Sequence, residues 1–260
     1  MPAAQLQGIE IHYQEQGSGR PLLLVPGIPA IADDWGPLAA RLADAGHRVI
    51  AYDNRGSGAS TVTAGPYSTA QMAQDALALL DSLDVRRADV FGMSMGGMIA
   101  QELALAAPAR VGRLVLGCTH AGLAHATPPD RDAGRAFALQ TDDWGQRMRA
   151  LAPFAFARDV DAAMLEGFVA KKSRDVQDPA GYQAQIDAVL AHDTAERLAQ
   201  IACPTLVITG DDDRVIPGAS SDLLAQRIPG ASLSVIAGSG HLFFLERPDE
   251  TFAVLAELLA

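Results

Sequence analysis

Gly92-Met93-Ser94-Met95-Gly96 is a G-x-S-x-G, and Gly97 follows it. A serine with a glycine two places away on either side suits a very tight turn from a strand into a helix. At such a turn the serine takes a strained backbone conformation, and side chains at the flanking positions would collide with neighbouring backbone. The hydroxyl is lifted clear of the sheet to a helix N-terminus, where unpaired N–H groups favour developing negative charge. The chemistry this suits is nucleophilic attack by Ser94. By itself the pentapeptide fits a Gly-rich loop with a capping serine equally well, so the rest of the chain has to supply a base, an acid and an oxyanion hole.

A hydroxyl is a poor nucleophile until a base within hydrogen-bond reach takes its proton. The histidines are His12, His47, His120, His125, His192 and His241. His12 lies inside a predicted edge strand and His47 at the start of another, so both read as structural. His120 and His125 follow a strand and read as pocket-lining or solvated. His192 lies at the exit of an insertion. His241 stands in the loop Gly238-Ser239-Gly240-His241 just past the last predicted strand, where two close glycines permit an unusual backbone path. It is the candidate base. An imidazole in that role needs a carboxylate to hold its tautomer and stabilise its cation. Asp211, Asp212 and Asp213 follow the apolar run Pro204–Gly210, and any of them could serve. The other place for an acid, after Val111–Cys118, offers no carboxylate before Asp130.

A tetrahedral intermediate also needs two N–H donors. Met95, next after the serine, supplies one. The second falls to Ile28 in Pro26-Gly27-Ile28-Pro29, because Gly27 allows close backbone approach and neither proline can donate. Pro29 also restrains Ile28 to an extended conformation.

These residues need elements to hold them. Ile9–Glu15 alternates apolar and polar residues like a half-buried edge strand, while Pro21–Val25, Val111–Cys118 and Pro204–Gly210 are continuous apolar runs, as in parallel strands covered on both faces. Further strands are predicted at Arg48–Tyr52, before Gly92, and at Leu233–Ile236. Helices are predicted from about Asp34, a candidate cap, to Ala45, over Thr69–Leu83, after Ser94, over Ser220–Arg227, and from Pro248. Alternating strands and helices imply an α/β class with a doubly wound, mostly parallel sheet, which binds ligands at the carboxyl ends of its strands. From Thr119 to Thr194 the alternation stops, and Phe137, Trp144, Met148, Phe154, Phe156, Met164 and Phe168 recur mostly at helical spacing. The expected organisation is a core of residues 1–118 and 195–260 with an inserted helical cap at 119–194.

Bulk properties exclude several classes. The chain of 260 residues, 49% hydrophobic, can bury a sizeable core as one domain with an inserted lobe. A formal net charge of −11 argues against nucleic acid or an anionic membrane surface as partner. The N-terminus shows no secretory pattern and no apolar stretch is long enough to span a bilayer, so a soluble, cytoplasmic protein is expected. Cys118 and Cys203 lie far apart in apolar contexts and read as reduced packing residues rather than a disulfide or metal pair. No metal or cofactor is called for.

The chain resembles the α/β-hydrolase superfamily along nearly its whole length. The resemblance rests on Gly27 with Trp35 downstream, D-x-R-G-x-G-x-S from Asp53 to Ser60, and G-x-S-x-G-G from Gly92 to Gly97. It continues with P-T-L-V-I-x-G from Pro204 to Gly210, Asp213-Arg214-Val215-Ile216-Pro217, and Gly240-His241 followed by Glu246-Arg247-Pro248. It implies the α/β-hydrolase fold and selects Asp213 as the acid, giving the order Ser94, Asp213, His241. It also makes the Asp53–Ser60 turn, Asp53 and Arg55 included, structural. Pro26 departs from the pattern, since a histidine before the glycine is usual.

The expected activity is hydrolysis of a carboxylic ester or lactone through an acyl-enzyme on Ser94, as in small bacterial carboxylesterases and enol-lactonases. A serine separates the chain from members whose nucleophile is aspartate. The expected substrate is small and partly apolar, and the protein a monomer or homodimer. Lys171, Lys172 and Arg174 could recognise a carboxylate but read first as a solvated charged helix face. The alternative is a cofactor-free perhydrolase, like the family's non-haem haloperoxidases, which share a proline at the position of Pro29. A reading of another class is a ligand receptor on a hydrolase fold.

Overall fold

The computed structural model describes residues 2–6, 8–139 and 141–259. The strands are β1 (Ala3–Leu6), β2 (Ile9–Gln16), β3 (Arg20–Val25), β4 (His47–Tyr52), β5 (Ala88–Met93), β6 (Val111–Gly117), β7 (Thr205–Gly210) and β8 (Ser232–Ile236). They form an eight-stranded sheet in the order β1-β2-β4-β3-β5-β6-β7-β8. β3 to β8 run parallel to one another, and at one edge β2 pairs antiparallel with both β1 and β4.

The continuous apolar runs follow from this layering. Successive side chains of a strand point to opposite faces, and both faces are covered here. Leu23 and Val25 of β3 enter one core with α2 (Thr69–Ser82) and α3 (Met95–Ala106). Leu22 and Leu24 enter the other with α1 (Gly36–Asp44) and, from the far end of the chain, α10 (Pro248–Leu259). This doubly wound α/β architecture is the one expected.

Two local differences have clear causes. β1 does not appear in the sequence pattern because it is short and only Ala4 and Leu6 face inward. Asp34 does not cap α1. It lies within a 3-10 turn (Ala32–Trp35), where its carboxylate accepts the Ile31 N–H at 2.9 Å, and α1 begins after that turn at a left-handed Gly36 with Pro37 in its first turn.

Between β6 and β7 lie α4 (Arg131–Phe137), α5 (Trp144–Ala155), α6 (Ala162–Arg174) and α7 (Pro179–Ala191). Each starts on an aspartate, Asp130, Asp143, Asp161 or Asp178, whose side chain accepts an N–H of the first turn. The two ends of this segment meet in a bridge between Gly122 and Asp193. After β7 come α8 (Ala219–Arg227), β8 and the short α9 (Phe243–Glu246). β8 is the far edge of the sheet, and its Val235 is 53% exposed. No helix among the described residues is long and apolar enough to cross a membrane.

Candidate active site

Ser94 joins β5 to α3 with φ 54° and ψ −119°, a region that L residues with a side chain rarely occupy. The flanking glycines are needed for closeness. A Cβ on Gly92 would lie 2.2 Å from the Gly96 carbonyl oxygen, and one on Gly96 would lie 2.0 Å from the Val25 carbonyl oxygen. The turn is braced from β6, since the Ser94 N–H donates to the Gly117 carbonyl at 2.8 Å and the Thr119 hydroxyl donates to the Ser94 carbonyl at 2.8 Å. Thr119 also packs where any side chain on Gly97 would stand. Its role had no signal in the sequence beyond following a strand.

The three aspartates after β7 are sorted by geometry. Asp213 is buried, and its Oδ1 accepts the Val215 and Ile216 N–H groups at 2.9 Å each. Its Oδ2 lies 2.9 Å from Nδ1 of His241, itself buried just beyond β8. Asp212 instead pairs with the Arg158 side chain and accepts the Arg158 N–H at 2.8 Å, and Asp211 accepts the Ser239 N–H at 3.2 Å. Of the two glycines before His241, Gly238 uses its conformational freedom (φ +62°), whereas Gly240 allows contact, because a Cβ there would lie 2.4 Å from the Phe156 carbonyl carbon.

The loop after β3 reaches the serine. A Cβ on Gly27 would lie 2.9 Å from that of Ser94, so only glycine fits. Ile28 follows, joined to Pro29 by a cis peptide. Among the described residues neither the Ile28 nor the Met95 N–H donates to a protein acceptor. The Asp53–Ser60 turn holds this loop from behind: the Asn54 amide donates to the Pro26 carbonyl at 2.9 Å and the Ala32 N–H donates to Asp53 at 2.8 Å. Arg55 is spent on a buried two-pronged pair with Asp75.

The inserted segment contacts the chain that follows β3, β7 and β8. Leu242 N–H donates to the Ala155 carbonyl at 2.8 Å, and Arg214 donates to the carbonyls of Pro153 and Phe156. Lys171 and Lys172 both donate to Asp34, at 2.5 and 2.8 Å. The reading of this lysine pair as a solvated face is therefore corrected: Lys172 is 1% exposed. The signal was present in the spacing, since Leu165, Phe168, Val169 and Lys172 share one helical stripe. Burial alone would raise the Asp34 carboxyl, but the Lys172 charge and the lysine hydrogen bonds outweigh it and hold the group below its ordinary value.

His120 and His192 are buried with ring centroids 6.2 Å apart, and His192 bonds Thr69 at 2.9 Å. Burial lowers them to about 4 and about 3, so both are neutral at pH 7. Cys118, Asp213 and His241 bring possible metal-ligand atoms within 4.8 Å of one another. The facing atoms of Asp213 and His241 are engaged with each other. Burial, then the Asp213 charge, push the Cys118 thiol well above its ordinary value, which opposes the thiolate a metal ion needs.

Residues 20–248 match the alpha/beta hydrolase fold family. The chain is 34% identical over 261 residues to RutD of Azorhizobium caulinodans, provisionally named a carbamate hydrolase, covering 96% of this chain and 94% of that one. It is 31% identical over 269 residues to BpoC of Mycobacterium tuberculosis, provisionally named a non-heme bromoperoxidase, covering 97% and 98%. Among solved structures, the enol-lactonase of Burkholderia xenovorans LB400 superposes with a TM-score of 0.88 at 29% identity, covering 99% of each chain. The sheet order, the serine turn after β5 and these matches together establish that the chain belongs to the alpha/beta hydrolase fold family.

Proposed function

We propose that the protein is a serine hydrolase that cleaves a carboxylic ester or lactone, with Ser94 as nucleophile, His241 as base and Asp213 as the orienting acid. The observation that carries this reading is the 2.9 Å contact between His241 Nδ1 and Asp213 Oδ2. With Nδ1–H donated to the carboxylate, Nε2 is left as the proton acceptor. The Ser94 proton passes to Nε2 as the hydroxyl oxygen attacks the acyl carbon, and Asp213 stabilises the imidazolium. The Ile28 and Met95 N–H groups, which donate to no protein acceptor among the described residues, can meet the oxyanion. Collapse returns the proton to the leaving alkoxide and leaves an ester on Ser94. Water, deprotonated by His241, then releases the acid and regenerates the serine. Residues 119–194 act as the cap that shapes the substrate, and its aromatic content suits a small, partly apolar ester or lactone.

A panel of p-nitrophenyl esters and lactones tests this with wild type and Ser94→Ala. Wild type should turn over and Ser94→Ala should not, and a fluorophosphonate should label Ser94. Equal activity of the two proteins, or labelling elsewhere, would overturn it. The BpoC relative and Pro29 favour one second reading, in which hydrogen peroxide replaces water in attack on the same acyl-enzyme and yields a peracid. Peracid formation from acetate and peroxide that outpaces ester hydrolysis would select that reading. Fast multiple turnover on a small ester argues against a receptor.

A further inference from the structure

Glu246 ends α9 five residues after His241 and is buried. Its Oε2 accepts the N–H of Gly240, the residue just before His241, at 2.7 Å, and its Oε1 accepts the N–H of Ala157 at 3.0 Å. One carboxylate therefore joins the histidine turn to the chain leaving α5. The two backbones are in contact at that point, since a Cβ on Gly240 would lie 2.6 Å from the Ala157 nitrogen. On the other side of His241, Leu242 is tied to the same end of α5 through the Ala155 carbonyl at 2.8 Å. The imidazole thus sits between two anchors, and both lead to the inserted helices.

We infer that Glu246 is a positioning residue for His241, clamping Gly240 to Ala157 so that the place of the imidazole depends on the seating of the inserted helices. The inference rests on His241 being the base. Charge-assisted hydrogen bonds from two backbone donors to one buried carboxylate are among the stronger ones a fold can make. A buried N–H left without its acceptor is correspondingly costly. A small displacement of a catalytic group costs up to about a hundredfold in rate. Glu246→Gln keeps the shape of the side chain but turns one oxygen into an N–H2 that faces a backbone N–H, so one of the two clamps is lost.

The test is a double-mutant cycle on ester hydrolysis with Glu246→Gln and His241→Ala, singly and together. Glu246→Gln should lower kcat by about tenfold to a hundredfold with KM changed by less than about threefold. In the His241→Ala background, whose residual activity remains measurable, the same substitution should cost less than about twofold. A merely structural role lowers activity by the same factor in both backgrounds. Equal losses, or no loss, would overturn the inference and leave the base assignment standing. Wild-type kcat in His241→Ala would overturn the base assignment and this inference with it. If Glu246→Gln does not fold, Glu246→Asp, which keeps the charge but shortens the reach, is read in the same cycle with the same criteria.

Discussion

Lys172, on the buried side of α6, donates its ammonium to Asp34 at 2.8 Å across 138 positions of sequence, and Asp34 belongs to the segment that follows Gly27 and Ile28. The pair ties the helices between β6 and β7 to the segment that follows β3. Removing one partner of a buried ion pair strands the other charge. Lys172→Met should therefore lower stability by roughly 3 kcal/mol, the low end of the range for such pairs, because Lys171 still reaches Asp34. Lys171→Met, at a half-exposed site, should cost under about 1 kcal/mol. Urea midpoints of the two variants check the difference, and equal midpoints would refute it.

The strain at Ser94 makes a second prediction. Ser94→Ala keeps the Cβ and the strain, whereas Ser94→Gly removes both. Such a conformation costs about 1–3 kcal/mol in an L residue, and glycine gives back about 0.5–1 kcal/mol through the freedom of its unfolded chain. Ser94→Gly should melt about 2–4 °C above Ser94→Ala, with both inactive. Calorimetry of the two proteins decides it, and a lower melting temperature for the glycine variant would count against a strained turn.

The buried histidines set the acid side of the stability profile. His120 and His192 are lowered to about 4 and about 3 by burial, from an unfolded value near 6.5. The unfolded chain therefore binds protons first as pH falls. Their neutral burial is fully compatible with the fold above about 6.5, and stability is lost as pH drops below that value toward about 4. Melting temperatures measured from pH 4 to 8 should fall on the acid side. His192→Asn should show a shallower fall, and an unchanged slope would remove His192 from the account.

Thiol chemistry offers a fourth check. Cys118 is fully buried beside Asp213 and Cys203 is half-buried, and burial pushes both thiols up. Reactivity follows the thiolate. Iodoacetamide at neutral pH should leave ester hydrolysis intact, while the unfolded protein in urea should take up label at both cysteines. Inactivation of the folded protein would point to a more open site around Cys118.

Much of the framework was legible in the residues. The apolar runs around Leu23, Val115 and Val207 marked strands covered on both faces, and the glycines at 92 and 96 marked a turn with no room for side chains. His241 could be proposed because it follows the last strand, and the acid could be narrowed to Asp211, Asp212 or Asp213 after Pro204–Gly210, with only the family resemblance selecting Asp213. Pairings between distant segments were not legible. Nothing local announces that Lys172 meets Asp34, or that Glu246 reaches Ala157, because those contacts depend on how the inserted helices settle. Ala4 and Leu6, alone on the inner side of β1, were too few to register as a strand. Asp34 looked like the cap of α1 because an aspartate before a helical pattern usually is one, and here a 3-10 turn and two lysines claimed it instead.

The loop carrying His241 hangs from β8, the margin of the sheet, where Ser232, Leu233 and Val235 face solvent and only Ile236 is buried. β5, which carries Ser94, is enclosed along its whole length. Local opening needs least free energy where few apolar contacts hold a segment. β8 should therefore exchange its amide hydrogens faster than β5, and the anchors at Gly240 and Leu242 are what keep the His241 turn in place beside that open border.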